Sequence, residues 1–138
     1  MTAKVSARVA AQVRARAAGR CEYCQAPQIL IGQAFHLDHI IPRALGGSTI
    51  ADNLCLACSH CNIAKGAQTR ALDPRTGKLV SLYHPRKDIW EEHFRWSQDW
   101  KKLIGQTPTG RATVKALDMN AKLLQKARPF WCVAGLIP

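Results

Sequence analysis

The sequence predicts an α+β fold, and three observations carry that prediction. A basic, alanine-rich opening segment with valines at every fourth position indicates a helix. The centre reads as two short apolar runs that are separated by a proline and a Gly-Gly loop and followed by a helical segment. In the C-terminal part of the chain, residue patterns typical of strands, turns and helices follow one another. With 138 residues, of which 47% are hydrophobic, the chain fits one domain with a packed core.

The opening helix is predicted within residues 1–20, where Val5, Val9 and Val13 form a narrow apolar stripe and Gly19 provides a stop. This segment has no acidic residue and five basic ones: Lys4, Arg8, Arg14, Arg16 and Arg20. It is either a solvated packing helix or a basic helix that lies along phosphates, and the two interpretations are compatible.

The central stretch predicts strand, loop, strand and helix in that order. Residues 35–41 form the first strand, and Pro42 with Gly46-Gly47 forms the loop. Residues 53–57 form the second strand, and Ser59 is a candidate cap for a helix that runs from His60 to about residue 67.

The C-terminal part predicts further strands and helices. Residues 78–83 alternate as a strand, and Thr107-Pro108 has the cap and first-position signature of a helix start. Asn120 is a candidate cap for a further helix that ends near Pro129. Three tryptophans in residues 90–100 favour a core or sheet wall over base stacking.

The charge balance points to a polyanionic partner. Lys and Arg number 20 against 9 Asp and Glu, a formal net charge of +11, so nucleic acid is the natural candidate. A membrane partner is not expected, because the basic residues are scattered and no apolar run approaches the roughly 18 residues of a span. Without a secretory signal, we expect a cytoplasmic location, where six cysteines are more often ligands or free thiols than disulfides.

Two Cys-x-x-Cys pairs predict a structural zinc site. Each pair can offer two thiolates to one tetrahedral Zn²⁺, and a closed set of four leaves no open position. The 33 residues between the pairs exceed the usual spacing, so the two strands must fold back on each other. Four independent buried cysteines remain the alternative, whereas a redox protein fits poorly because no βαβ pattern surrounds either pair. The predicted ligands are Cys21, Cys24, Cys58 and Cys61.

A second set of residues suits phosphodiester hydrolysis. A histidine of near-neutral pKa such as His39 can take a proton from water. Asp38 and Asn62 offer oxygen ligands to a hard cation, which would neutralise the developing negative charge. Asn62 directly follows Cys61, so zinc would fix its position.

These motifs resemble the zinc-bearing HNH endonuclease family, whose fold is the ββα-metal (His-Me) finger. The resemblance covers residues 21–66, about a third of the chain, and it rests on these motifs: Asp38-His39-Ile40-Ile41-Pro42, Gly46-Gly47, Asn53-Leu54 and Cys58-x-x-Cys61-Asn62-x-x-Lys65-Gly66. The resemblance implies His39 as the general base, and Asp38 and Asn62 as ligands of one catalytic Mg²⁺ or Mn²⁺. It also implies Asn53 as a brace of the loop and products with a 5′-phosphate.

The resulting prediction is a single HNH nuclease domain over residues 1–138. It consists of a basic helix (1–20), a zinc-bearing ββα-metal core (21–68) and a C-terminal β/α extension (69–138). The expected substrate is DNA, preferably double-stranded, with Arg43 and Lys65 holding phosphates and no small-molecule cofactor. For Lys65, a plain solvated side chain is the alternative. The alternative is a zinc-organised nucleic-acid binding module without catalysis, which would have no reason to carry Asp38, His39 and Asn62 together.

Overall fold

The structure, a computed structural model, describes residues 4–137. The described chain divides into two compact units. The first comprises residues 4–69 and His84–Lys87, and the second comprises Arg70–Tyr83 and residues 88–137. Helices alternate with three two-stranded antiparallel sheets, which confirms the α+β class. The single nuclease domain over the whole chain stays a prediction. In the described part of the chain, no helix has the length and apolar character needed to cross a membrane.

The first unit contains three helices and one hairpin. In chain order its elements are α1 (Ala7–Ala17), α2 (Gln28–Ile31), β1 (His36–His39), β2 (Leu54–Ala57) and α3 (Ser59–Lys65). Two 3₁₀ turns, Arg43–Leu45 and Ala51–Asn53, lie in the loop between the strands. This is the predicted order of strand, loop, strand and helix.

Helix α1 begins where the Ser6 side chain accepts a hydrogen bond from the Val9 N–H at 3.2 Å. It ends at Ala18, which takes the left-handed conformation, one residue before the predicted Gly19 stop. Val13 is fully buried, and the opposite face is exposed. Arg16 is not wholly available to a partner, because it donates to the carbonyl of Ala51 at 2.6 Å. Residues 1–3 of the predicted basic segment lie outside the described residues.

The hairpin β1–β2 pairs antiparallel, with His36 opposite Ala57 and His39 opposite Leu54. Strand β2 is buried along its whole length, so it belongs to the core of the unit. The cap of α3 is Cys58, whose sulfur accepts from the Cys61 N–H, and not Ser59 as predicted. The Cys58 sulfur caps the helix in place of the Ser59 hydroxyl, because the Cys-x-x-Cys turn directs the Cys61 N–H toward that sulfur.

The second unit contains two hairpins and three helices. In chain order its elements are β3 (Arg70–Leu72), β4 (Leu79–Ser81), α4 (Trp90–His93), β5 (Phe94–Trp96), β6 (Leu103–Gly105), α5 (Pro108–Ala116) and α6 (Lys122–Val133). Strand β3 pairs with β4, and β5 pairs with β6. The fully buried apolar side chains of this unit include Phe94, Leu103, Ala112, Leu117 and Met119.

Helix α5 starts as predicted, with Thr107 capping the Gly110 N–H and Pro108 at its first position. Helix α6 differs from the prediction, because it continues through Pro129 to Val133. Asn120 does not cap it. Its side chain instead pairs with both backbone groups of Leu103, each at 2.8 Å.

Candidate metal centre and active site

The four predicted zinc ligands come together in the first unit. One ligand sulfur from each of Cys21, Cys24, Cys58 and Cys61 lies within 4.8 Å of the others, and all four residues are buried. A tetrahedral site with zinc–sulfur bonds of about 2.3 Å places its sulfurs about 3.8 Å apart. The Cys24 and Cys58 sulfurs are 3.7 Å apart. The donor set therefore fits a structural metal such as Zn²⁺.

Each Cys-x-x-Cys pair is preformed by its own backbone. The Cys24 N–H donates to the Cys21 sulfur at 3.5 Å, and the Cys61 N–H donates to the Cys58 sulfur at 3.4 Å. Hydrogen bonding among the crowded thiols, first to Cys21, raises the pKa of Cys24 and of Cys61, whereas the same bonding lowers the pKa of Cys58. The set does not ionise evenly on its own, and a bound cation is what stabilises four adjacent thiolates.

Asp38 lies on β1 opposite Cys55 and is buried, with only 7% exposure. Its Oδ2 accepts a hydrogen bond from the Tyr23 hydroxyl at 2.8 Å. The same oxygen forms an ion pair with the Lys65 ammonium at 3.1 Å. Burial, then the charges of Cys55 and Asp38, raise the pKa of Tyr23, so the phenol remains a donor. These contacts fix one carboxylate oxygen and leave Oδ1 as the oxygen that can serve a further ligand.

Lys65 lies in a different environment from the one predicted. Its side chain is 2% exposed, and its ammonium contacts both Oδ2 of Asp38 and the backbone carbonyl of His39, each at 3.1 Å. A solvated lysine and a phosphate contact both need an accessible ammonium, so neither fits this placement. Lys65 instead joins α3 to β1 through Asp38 and the backbone carbonyl of His39.

His39 is the last residue of β1 and is partly buried. Its Nε2 lies 2.9 Å from Oγ1 of Thr49, which belongs to the loop between the strands. Burial lowers the pKa of His39, Asp38 opposes that shift, and the positive charges of Arg43 and Lys65 add to it. The lowered pKa favours the neutral imidazole, which is the form that a general base requires.

Asn62 lies on α3, and Arg43 lies in the loop that follows β1. Asn62 is half-buried on α3, three residues before Lys65, so the two side chains project from the same side of the helix. Arg43 lies in the 3₁₀ turn after Pro42 and is close enough to lower the pKa of His39.

Asn53 braces the loop that carries Thr49. Its amide accepts from the Ile41 N–H at 2.9 Å and donates to the carbonyls of Ile41 at 3.0 Å and Ser48 at 2.8 Å. Gly47 permits this close approach, because a Cβ there would stand 1.7 Å from the Ile41 carbonyl oxygen. The loop is thereby fixed against the end of β1.

One comparison with known proteins bears on this segment. The family model described as HNH endonuclease matches residues 21–68. The central segment is therefore similar to an HNH endonuclease domain. Its match confirms the resemblance stated from the motifs and connects this segment to a nuclease family with a cysteine metal cluster. The comparisons with curated proteins and with solved structures each gave no significant match.

Two sets of contacts at the candidate site were not predicted. Tyr23 had no predicted role, although its hydroxyl donates to Asp38. Arg86, beyond the matched segment, forms a bidentate ion pair with Glu22, both N–O distances being 2.7 Å, and donates to the Leu54 carbonyl. Glu22 in turn accepts from the Leu56 N–H at 2.7 Å. The one sequence signal for the Arg86 contact was an arginine next to a turn proline, and that signal is weak.

Proposed function

We propose that this protein is a metal-dependent endonuclease that hydrolyses phosphodiester bonds of DNA. The observation that supports this most is the link between α3 and β1. Lys65 contacts Asp38 and the His39 carbonyl, and it brings the helix that carries Asn62 against the strand that carries the acid and the imidazole. A binding module without catalysis has no need for this assembly.

His39 is the proposed general base. When its Nε2–H donates to the Thr49 hydroxyl, Nδ1 carries the lone pair and accepts the proton of the attacking water. The braced loop keeps Thr49, and with it the imidazole plane, in one orientation. The resulting hydroxide attacks phosphorus, and the 3′ oxygen leaves, so the cut strand retains a 5′-phosphate.

Asp38 and Asn62 are the proposed ligands of a catalytic Mg²⁺ or Mn²⁺. Their carboxylate and amide oxygens are the donors that hard cations prefer. Tyr23 and Lys65 occupy Oδ2, so Oδ1 of Asp38 is the oxygen assigned to the metal. When bound, the cation would neutralise charge on the phosphate and on the leaving oxygen. Arg43 is proposed to hold a flanking phosphate.

The four cysteines are proposed to hold Zn²⁺ for structure and not for catalysis. They join the segment that contains Tyr23 to the start of α3, which carries Asn62. Both the partner of Asp38 and the second metal ligand therefore depend on the same cluster. The alternative function, a zinc-organised nucleic-acid binding module, uses the cluster and the basic charge but none of the Asp38, His39 and Asn62 chemistry.

A plasmid-nicking assay separates these two functions. Supercoiled plasmid is incubated with zinc-loaded protein and Mg²⁺ or Mn²⁺, and the product ends are tested for ligation. The nuclease account predicts open-circular or linear product with ligatable 5′-phosphates from wild type and at least a hundredfold less from His39→Ala. His36→Ala, which removes an exposed imidazole from the same strand, is the matched control. Binding without cutting by wild type would favour the alternative.

A further inference from the structure

The second unit has an open groove between α6 and the turn that joins β5 to β6. The groove has a volume of about 440 Å³, within the usual range for ligand sites. It is lined by Lys101, Lys122, Gln125, Lys126, Pro129 and Phe130. Three cations and one aromatic ring therefore surround one concavity, a combination that the proposed active site does not use.

No ion pair among the described residues neutralises the positive charge of the groove. None of the four ion pairs found there involves Lys101, Lys122 or Lys126, and all three side chains are exposed. Hydrogen bonds from Ser97 and from the Lys101 N–H at 3.1 Å lower the pKa of Asp99 in the turn, and the charge of Lys101 adds to this shift. Three ammonium groups at one groove, none of them in an ion pair, favour an anionic ligand.

The groove is rigidly built. Arg128, which is fully buried, donates to the Lys101 carbonyl at 2.7 Å and to Asn120 at 3.0 Å. The guanidinium also lies over the Trp96 ring, with 5.5 Å from Cζ to the ring centre. These contacts join the turn to α6, so the two walls of the groove are held together by a buried side chain.

The spacing along α6 suits a strand with repeating charge. Lys122 and Lys126 are one helical turn apart, about 6 Å along the axis, and Phe130 lies one further turn on. Phe130 is 73% exposed, so its face is open to a planar ligand. An aromatic face beside lysines is the arrangement that stacks an unpaired base while cations hold the backbone. A duplex hides its base faces, so one strand fits better.

We propose that this groove binds a single DNA strand, with Lys101, Lys122 and Lys126 on backbone phosphates and Phe130 stacked on a base. The choice of DNA rests on the proposed nuclease function, but the groove lies on other residues and can be tested separately. It would hold an unpaired stretch of the substrate while the HNH domain acts on a phosphodiester.

The test measures binding of a fluorescent 20-nucleotide oligothymidine to the full zinc-loaded protein by anisotropy, without added Mg²⁺ and across a salt series. Replacing the three groove lysines by glutamine should weaken binding at least tenfold at 0.1 M salt. It should also lower the slope of log affinity against log salt by about 2. The charge-matched control carries glutamine at three exposed lysines outside the groove: Lys78, Lys87 and Lys115. The control should lose less than threefold.

A second pair of variants tests the stacking contact without changing charge. Phe130→Ala should weaken oligothymidine binding at least fivefold, whereas Leu123→Ala, which removes a 79% exposed side chain from the same helix, should not. Equal losses in the two lysine triples would overturn the proposal. Wild-type affinity of Phe130→Ala for the oligothymidine would also overturn it. So would a groove-lysine triple that loses binding to anionic lipid vesicles but keeps its affinity for the oligothymidine. Plasmid nicking is scored separately, so a groove that binds and an active site that fails are distinguishable.

Discussion

The ion pair between Lys65 and Asp38 gives the sharpest stability prediction. Replacing Lys65 with methionine keeps the length of the side chain and removes only the ammonium. It leaves the Asp38 carboxylate with the Tyr23 hydroxyl as its remaining strong donor, and it removes the bond to the His39 carbonyl. The exposed fractions of the two side chains are 2% and 8%, so water cannot replace the lost charge.

The magnitude follows from distance and burial. At 3.1 Å and an effective dielectric constant of about 20, two unit charges interact by about 5 kcal/mol. Orphaning one partner of a buried pair costs about 3–5 kcal/mol in measured cases. We therefore expect Lys65→Met to lower the free energy of unfolding of the first unit by about 3–5 kcal/mol. Lys87→Met, at an exposed lysine of the same unit, should cost less than about 0.5 kcal/mol.

The assay must report on the first unit. All four tryptophans, Trp90, Trp96, Trp100 and Trp131, belong to the second unit, so intrinsic fluorescence would miss the effect. Urea unfolding followed by far-ultraviolet circular dichroism, with hydrogen exchange of peptides covering β1, measures it directly.

The double variant Asp38→Asn/Lys65→Met should recover most of the loss and lie within about 2 kcal/mol of wild type, because no buried charge remains. A cost below about 1 kcal/mol for Lys65→Met alone, or a double variant as unstable as the single one, would refute the reasoning.

Three further predictions concern stability. Cys58→Ser should lower the melting temperature of zinc-loaded protein in calorimetry while Cys132→Ser does not, and an unchanged midpoint would remove the structural role. Arg86→Met should cost about 2–4 kcal/mol in urea unfolding, because it leaves a partly buried carboxylate unpaired; a cost within error of zero would contradict this. Hydrogen bonds from Arg111 hold the pKa of Asp73 well below its usual range. This stabilisation is complete above about pH 4 and is lost on acidification below that, so Asp73→Asn should flatten the acid limb of a pH–stability curve.

Local signals in the sequence predicted much of the fold. The order of β1, loop, β2 and α3 follows from proline, glycine and alternation, which act over a few residues. The Thr107-Pro108 helix start is likewise a local signature. The α6 end near Pro129 was predicted from the same kind of rule and was wrong. Arg128 and Trp131 are buried on that helix, and their tertiary contacts outweigh the backbone hydrogen bond that proline removes.

The cysteine cluster was predicted from the sequence, whereas the contacts of Asp38 were not. Two cysteine pairs predict a cluster because each pair is local, and the hairpin brings the pairs together. The partners of Asp38 come from Tyr23, 15 positions earlier, and from Lys65, 27 positions later, and no short motif encodes either contact. From sequence alone, a lysine at a helix end is also predicted to be exposed to solvent. Burial decides its role, and burial depends on the whole unit.

The central claim is that His39 is the base of a phosphodiester-cutting site, and imidazole rescue tests it most directly. The measurement is the rate of plasmid cleavage by zinc-loaded His39→Ala, with and without added imidazole. We expect the substitution to lower the wild-type rate by about 10²–10⁴-fold and added imidazole to restore part of it. Cleavage by His39→Ala at the wild-type rate, with no response to imidazole, would contradict the account.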